Sequence, residues 1–197
     1  MTEYDLQRAL SLQKQAGTGK LGHWLQQLKL AGEEQIAAAL AMQWACPLLR
    51  QFPPQIPDHK IPICLMERLR MIPVHFSNAG RSLRIAFAGC VDYPALVSVE
   101  RMLEVKTEAC LAKESHIEAA LTAAKQRPGC REKVFDNCRD DEEIVRIISS
   151  YAEELDATEI RAVTCHEFFW TTILGRSSVG LLFQMSSRRF SSDEYSR

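Results

Sequence analysis

The sequence lacks an excess of charge of either sign, and it lacks a long apolar run. Its 197 residues carry 24 Lys and Arg against 25 Asp and Glu, so the formal net charge is −1. This balance gives no electrostatic reason to expect nucleic acid or an anionic membrane as a partner. The longest uncharged run, Ile36 to Leu49, is too short to span a bilayer and contains Gln43. We therefore expect no direct membrane insertion.

Signals for export and for a disulfide framework are missing as well. The N-terminal segment MTEYDLQRAL has no basic region followed by an apolar one, so no secretion signal is predicted. The seven cysteines are scattered and never form a C-x-x-C pair, which favours reduced, buried thiols in the cytoplasm. Cys130, Cys138 and Cys165-His166 could converge on zinc, but no paired-ligand spacing supports this alternative, and no metal site is predicted.

A phosphate-binding loop is the next feature that the sequence lacks. The segment AGTGKLG (16–22) looks like the end of such a loop, which requires G-x-x-x-x-G-K-[ST] after a buried strand. Lys14 stands where the first glycine belongs, and Leu21 follows Lys20 where a hydroxyl is needed. The preceding residues have the pattern of a helix. Together with the lack of any nucleophile–base pairing or metal cluster, this predicts that the protein is not an enzyme.

An internal repeat is present at the N-terminus. TEYDLQRALSLQ (2–13) and GEEQIAAALAMQ (32–43) align without gaps, and each copy places apolar residues on one face of a helix. Thr2 with Asp5 predicts a capping box, and Gly32 with Gln35 a weaker version of it. LGHWLQQL (21–28) predicts a short helix between the copies. Residues 1–46 are therefore expected to form a small helical unit.

The rest of the chain predicts an α+β protein with three parts. Strand patterns at MIPVHF, SLRIAFA and VKTEACLA alternate with helices, which favours a compact three-stranded α/β domain. Ser115 is the predicted N-cap of the helix that closes it. After a polar, proline-containing linker, an acidic-capped helix and three strands follow, the last two joined by a turn at 175–178. The predicted divisions are 1–46, 47–125, a linker at 126–139, a smaller α+β segment at 140–190, and a tail at 191–197.

The second half-repeat, KLGHWLQQLKLAGEEQIAAALAMQ (20–43), resembles a 24-residue motif. The motif belongs to the MshEN-type N-terminal domain of bacterial type II secretion and type IV pilus assembly ATPases, such as general secretory pathway protein E. Family members carry it twice in tandem, and residues 61–125 resemble the α/β part of the same domain. The following residues fall on motif positions: Lys20, Leu21, Gly22, Leu25, Leu30, Ile36, Leu40 and Gln43.

In that family the paired motifs can bind cyclic di-GMP, so the resemblance implies a candidate ligand site at these eight residues. A two-fold symmetric ligand suits two similar half-sites. Lys20 would supply charge, Gly22 would permit close backbone approach, and the leucines would pack on the guanine faces. The same leucines could equally be core residues of a helical unit, and Gly22 could simply allow close helix packing.

The sequence departs from the family pattern at several positions. The chain begins inside the first copy, and in the second copy Gln26 replaces an apolar residue and Lys29 replaces a glycine. Gly89-Cys90 stands where members have Asp-Pro. Residues 152–163 resemble a worn version of the segment that precedes the ATPase core. That core, with its Walker motifs, is absent from the sequence.

Two functions are therefore expected. The first is a non-enzymatic cytoplasmic interaction module that binds a secretion, pilus or regulatory protein. The second is a cyclic di-GMP sensor, in which a second copy of the chain could supply the missing half-site in a homodimer. No cofactor is predicted apart from that ligand.

Overall fold

The computed structural model describes residues 2–53, 56–57, 60–77, 80–126, 132–138 and 140–185. The fold is of the α+β class, as predicted. The helices are α1 Glu3–Ala16, α2 Leu21–Gln27, α3 Glu33–Gln43, α4 Ile63–Arg68, α5 Tyr93–Leu103, α6 Glu114–Lys125 and α7 Asp141–Glu154. The strands are β1 Met71–Ser77, β2 Ser82–Ala88, β3 Lys106–Ala112, β4 Glu132–Cys138, β5 Glu159–Cys165, β6 Phe168–Leu174 and β7 Ser178–Met185.

The first sheet has the strand order β1-β2-β3 and follows the helical unit formed by α1, α2 and α3. β1 and β2 are antiparallel, whereas β2 and β3 are parallel and are connected through α5. The chain leaving α3 runs beside β3, where the Leu49 N–H donates to the Leu111 carbonyl (2.7 Å) and the Leu111 N–H donates to the Pro47 carbonyl (2.9 Å). These bonds attach the helical unit to the edge of the sheet.

The second sheet has the order β4-β7-β6-β5, with one strand more than the sequence predicted. β4 lies inside the predicted linker at 126–139, of which 127–131 and 139 fall outside the described residues. Its sequence is polar because β4 is an edge strand, paired with β7 alone. Tertiary contacts hold it in place: Phe135 stacks on Phe183 (5.0 Å between ring centroids), and the Glu132 carboxylate accepts from the Ile63 N–H (2.7 Å).

Two hydrophobic clusters form the core, and one of them joins the two sheets. The inter-sheet cluster lies between the first sheet, α4 to α6 and one face of the second sheet; it contains Phe87, Val99, Trp170 and Leu182, among others. The α7 cluster lies on the opposite face of the second sheet, beneath α7, and contains Ile173 and Phe183. The inter-sheet cluster thus draws residues from both 47–125 and 140–190, so these predicted divisions share one core.

Helix starts agree with the sequence signals except in α6. At α1, Thr2 and Asp5 form the predicted capping box, and at α3 the Gly32 N–H donates to the Gln35 side chain (2.8 Å). The prediction that Ser115 caps α6 is wrong: the helix begins at Glu114 with Lys113 as N-cap. Ser115 lies in the first turn and uses its N–H and hydroxyl for a contact with α3 instead.

No disulfide bond joins two of the cysteines that the structure describes. Burial raises the pKa of Cys110 to about 12 and that of Cys165 to about 11, so neither is a thiolate at neutral pH. Cys138 and Cys165 belong to different hydrophobic clusters and do not converge, and Cys130 lies outside the described residues. Among the residues described, no group of His, Cys, Asp and Glu is placed to hold a metal ion. In the same part of the chain, no helix is long and apolar enough to cross a bilayer.

Candidate functional site

The helical unit leaves most of its apolar side chains partly exposed. In α1, α2 and α3 only three alanines are buried, namely Ala9, Ala37 and Ala41. The predicted site residues are distributed over this unit as follows: Lys20, Leu21, Gly22 and Leu25 at the start and middle of α2, Leu30 in the α2–α3 connection, and Ile36, Leu40 and Gln43 along α3. Lys20 and Gln43 are exposed and the other six are half-buried. Leu40 packs against the inter-sheet cluster.

The loop at 17–20 is held by side chains of the flanking helices. Gly17 ends α1 in the left-handed conformation (φ 65°). The Gln13 amide donates to the Gly19 carbonyl (2.9 Å), and the Trp24 indole N–H donates to the Thr18 carbonyl (3.3 Å). Its carbonyls are therefore engaged, which is the opposite of a phosphate loop that offers free N–H groups. Gln13 and Trp24 organise this loop.

Gly22 is the point of closest approach between α2 and α3. A Cβ placed on Gly22 would lie 3.0 Å from Cγ2 of Ile36. The space above this glycine is thus filled by a side chain of α3, which supports the packing interpretation of Gly22. Contact of Gly22 or of the leucines with a ligand stays a prediction.

Lys20 reaches from the helical unit to the loop between β2 and α5. A Cβ on Gly89 (φ 88°) would lie 3.1 Å from Nζ of Lys20, so the ammonium group sits directly over this glycine. In the same loop the Asp92 carboxylate caps α5 by accepting from the Ala95 N–H (2.9 Å). Nε2 of His166 lies 2.8 Å from the same carboxylate. Lys20 and His166 therefore both lie at the β2–α5 loop, which carries the Asp92 carboxylate.

Sequence reasoning found only part of this arrangement. The motif comparison singled out Lys20 and Gly89, but it did not indicate that the two residues lie together. The sequence offered His166 only as a possible zinc ligand, and its contact with Asp92 was missed, because His166 occupies a tight turn between β5 and β6 (φ 53°) far along the chain.

An acidic pair at the start of α3 connects the helical unit to α6. The Glu33 carboxylate accepts from the N–H and the hydroxyl of Ser115, both at 2.7 Å, and Lys113 lies 3.6 Å from Glu34. Partial burial raises the pKa of Glu33, but the two hydrogen bonds from Ser115 outweigh it and the net effect is a lowered pKa. The charged form of Glu33 therefore stabilises the contact between these elements.

Glu33→Gln is expected to lower the free energy of unfolding by about 1 kcal/mol at pH 7, because it weakens two hydrogen bonds to a charged acceptor at a partly exposed site. Because the folded-state pKa of Glu33 is depressed, its contribution is fully present above the ordinary value of 4.5 and is lost as the pH falls through the folded-state value. Denaturant unfolding at pH 7 and pH 3 measures both effects.

The control is Glu34→Gln, which removes the more exposed ion pair with Lys113 and should change stability by a smaller amount. A Glu33→Gln difference that is equally large at pH 3 and pH 7 would contradict this account.

Several solved structures are similar to this chain. A structure of MshE with cdg, which is cyclic di-GMP, is 26% identical with a TM-score of 0.51, and the match covers 62% of this chain and 89% of that chain. Two structures of the N-terminal domain of XpsE are 21% and 22% identical, with TM-scores of 0.45 and 0.42, and cover 62% of this chain and 84% and 85% of theirs. No protein-family model and no curated protein matches the chain.

The likeness to MshE combines sequence identity with coverage of nearly that whole structure. The resemblance to the MshEN-type domain is confirmed. These neighbours are N-terminal domains of secretion ATPases and not the catalytic cores of such proteins. The MshEN-type likeness covers 62% of the chain.

The backbone at Lys29 has a conformation that suits glycine. Lys29 adopts the left-handed conformation (φ 55°), which glycine tolerates and a residue with a Cβ does not favour. This agrees with the resemblance, which implies glycine at this position.

Lys29→Gly is therefore expected to raise the free energy of unfolding by about 0.5 kcal/mol, because relief of left-handed strain exceeds the extra entropy of the unfolded chain. Thermal and denaturant unfolding give the measurement. Lys106→Gly in β3 serves as the control and should destabilise the protein, since glycine weakens a strand. A loss of stability in Lys29→Gly would show that the side chain of Lys29 matters more than its backbone.

Proposed function

We propose that the chain is a non-enzymatic cytoplasmic module that binds a protein of the secretion or pilus machinery or one of its regulators. The observation that carries this proposal is the helical unit, whose apolar side chains remain largely uncovered. Tyr4 is 76% exposed at the start of α1 and Met42 is 83% exposed near the end of α3. Large exposed apolar side chains are candidates for contact with a protein partner.

The fold supports the choice of partner. MshEN-type domains belong to ATPases that work with secretion and pilus machinery, and the chain shares their fold while its sequence lacks Walker motifs. The near-zero net charge argues against nucleic acid as the partner. The rigid attachment of α3 to β3 and α6, through Leu49 and Glu33, would present the helical unit in one fixed orientation.

Affinity capture tests the proposal. The full chain is used as bait in lysate from bacteria that express type II secretion and type IV pilus components, and captured proteins are quantified by mass spectrometry. Met42→Glu should reduce capture of a secretion or pilus protein by about tenfold, since a charge in an apolar contact is costly. Val145→Glu is the matched control, because Val145 is also exposed (60%) but lies on α7.

Repeated capture of no secretion, pilus or signalling protein would overturn the proposal. Equal loss in Met42→Glu and Val145→Glu would show that the helical unit is not the binding surface.

A second candidate function is cyclic di-GMP binding. The observations that favour it are the structure of MshE with this ligand and the position of Lys20, which precedes α2 and whose ammonium group lies over Gly89 in the β2–α5 loop. A dimer could place two copies of the motif around one symmetric ligand. Calorimetry with cyclic di-GMP should then give heat that disappears in Lys20→Ala and persists in Lys14→Ala, an exposed lysine of α1.

No heat at ligand concentrations of about 100 µM would exclude a signalling role, which requires affinity near the micromolar range. Sedimentation of the chain with and without the dinucleotide tests the dimer. Ligand-dependent doubling of mass supports a shared site, and a constant mass excludes one.

A further inference from the structure

A cavity of about 270 Å³ lies between the first sheet and the second. One wall comes from β1 and from the end of α5 with the residues that follow it, and the other comes from β5 and β6. The lining is largely apolar, with polar groups at a few points. The described residues that line it are Lys60, Phe76, Met102, Leu103, Val105, Arg161, Thr172 and Leu174. The cavity is separate from the helical unit.

Thr172 is an unpartnered polar side chain in the cavity wall. It is only 6% exposed, and its Oγ1 makes no hydrogen bond within the described part of the chain. Buried polar groups are nearly always hydrogen-bonded, so the Thr172 hydroxyl indicates an absent partner. A change of the Thr172 side chain to a neighbouring χ1 rotamer places its hydroxyl where its methyl group now lies.

The charges at the cavity indicate the chemistry of that partner. Arg161 is already engaged: its Nε lies 2.5 Å from Glu159, and its guanidinium also contacts Glu104 (3.1 Å) and the Met102 carbonyl (3.3 Å). Lys60, in contrast, is exposed and forms no ion pair with the residues that the structure describes. The cavity therefore has an apolar interior and one uncompensated ammonium group at its rim.

We propose that this cavity binds a small amphipathic carboxylate. Its apolar tail would pack against Phe76, Leu103 and Leu174, and its carboxylate would pair with Lys60 through one oxygen and accept the hydrogen bond that the Thr172 hydroxyl lacks through the other. The volume corresponds to about nine water molecules, which sets the size of the ligand at roughly nine heavy atoms. Because the two walls belong to different sheets, the bound molecule would stabilise the contact between them.

The test uses sodium octanoate as the probe and octylammonium as its charge-reversed control, both titrated into the full chain. Saturable binding of octanoate with Kd about 0.1 mM is expected, the affinity typical of a ligand of this size. Amide resonances of Thr172 and Leu174 should shift and the fluorescence of Trp170 should change. Octylammonium should bind at least about fivefold more weakly because Lys60 repels it.

Two variants localise the site. Thr172→Val preserves shape and removes the hydroxyl, and Lys60→Gln removes the charge; each should weaken octanoate binding at least about fivefold, whereas Lys14→Gln in α1 should not. Far-ultraviolet circular dichroism confirms that the variants fold.

Absence of saturable octanoate binding would overturn the proposal and leave the cavity to water. Resonance shifts confined to the helical unit would also overturn it, because they would place octanoate on the half-buried leucines of that unit. A Thr172→Val variant that is more stable than the parent but binds octanoate equally well would show that the hydroxyl is merely unsatisfied, and would count against the assigned site.

Discussion

Gly175→Ala is expected to destabilise the protein by about 2–3 kcal/mol, because the added methyl group has no room between two backbone segments. Gly175 lies in the turn between β6 and β7, against the end of α7. A Cβ at this position would overlap the carbonyl oxygen of Leu155 and lie 2.9 Å from the carbonyl oxygen of Asp156. Both contacts are with backbone, which cannot rotate away as a flexible side chain would.

The surrounding hydrogen bonds prevent an easy shift of either segment. The Arg176 N–H donates to the same Leu155 carbonyl (2.8 Å), and the Gly175 N–H donates to the Ser177 carbonyl (3.0 Å). Arg176 also pairs with Asp156. Moving the turn outward to admit a methyl group would therefore break bonds that join α7 to the second sheet.

Gly180→Ala is the matched control for this prediction. Gly180 lies in β7, and a Cβ there would meet no atom within 4 Å. Its substitution should be neutral or slightly stabilising, since alanine loses less entropy on folding than glycine. Urea unfolding of both variants gives the comparison. A Gly175→Ala variant as stable as Gly180→Ala would mean that the turn and α7 are not held as tightly as described.

Trp170→Ala is expected to have the larger effect, a loss of about 3–5 kcal/mol. Trp170 is fully buried in the inter-sheet cluster, opposite Val163 on β5 and Leu182 on β7. Truncation would leave a large cavity in the core that joins the two sheets. The surrounding strands cannot collapse into it without breaking their registers, so the loss of packing should remain nearly complete.

Trp170→Phe separates packing from polarity. The smaller ring keeps much of the apolar contact and removes the buried indole N–H that lacks a described hydrogen-bond partner. The expected loss is about 1–2 kcal/mol, because relief of the unsatisfied donor offsets part of the lost area. Denaturant unfolding measures both variants. Equal losses for Trp170→Ala and Trp170→Phe would indicate that the indole N–H, and not the ring, contributes the stability.

The local structure of the helical unit was predictable from sequence alone. The repeat places helix starts at Glu3 and Glu33, and both helices begin at those residues. The capping pair Thr2 with Asp5 and the apolar spacing act over one or two turns, so they work without any tertiary partner. The three strands of the first sheet and the turn at 175–178 were predicted for the same reason, since alternation and turn residues are local signals.

β4 could not be predicted, because Val134 and Phe135 are its only strand-favouring residues and polar or charged residues flank them without an alternating pattern. It forms because β7 offers a free edge and because Phe183 and the start of α4 provide contacts from distant parts of the chain. Ser115 shows the same dependence. Its sequence position suits an N-cap, but Glu33, 82 residues away, takes its N–H and hydroxyl.

The candidate sites, too, depend partly on local sequence and partly on tertiary structure. The sequence by itself determined the motif residues around α2 and α3 and the family they resemble, because these depend on residue type and spacing. Only the tertiary structure decided that Lys20 reaches Gly89, that His166 approaches Asp92, and that a cavity with an unpartnered Thr172 lies between two sheets. Such contacts depend on how helices and strands pack across the core. Packing is a property of the whole chain, and no local sequence pattern encodes it.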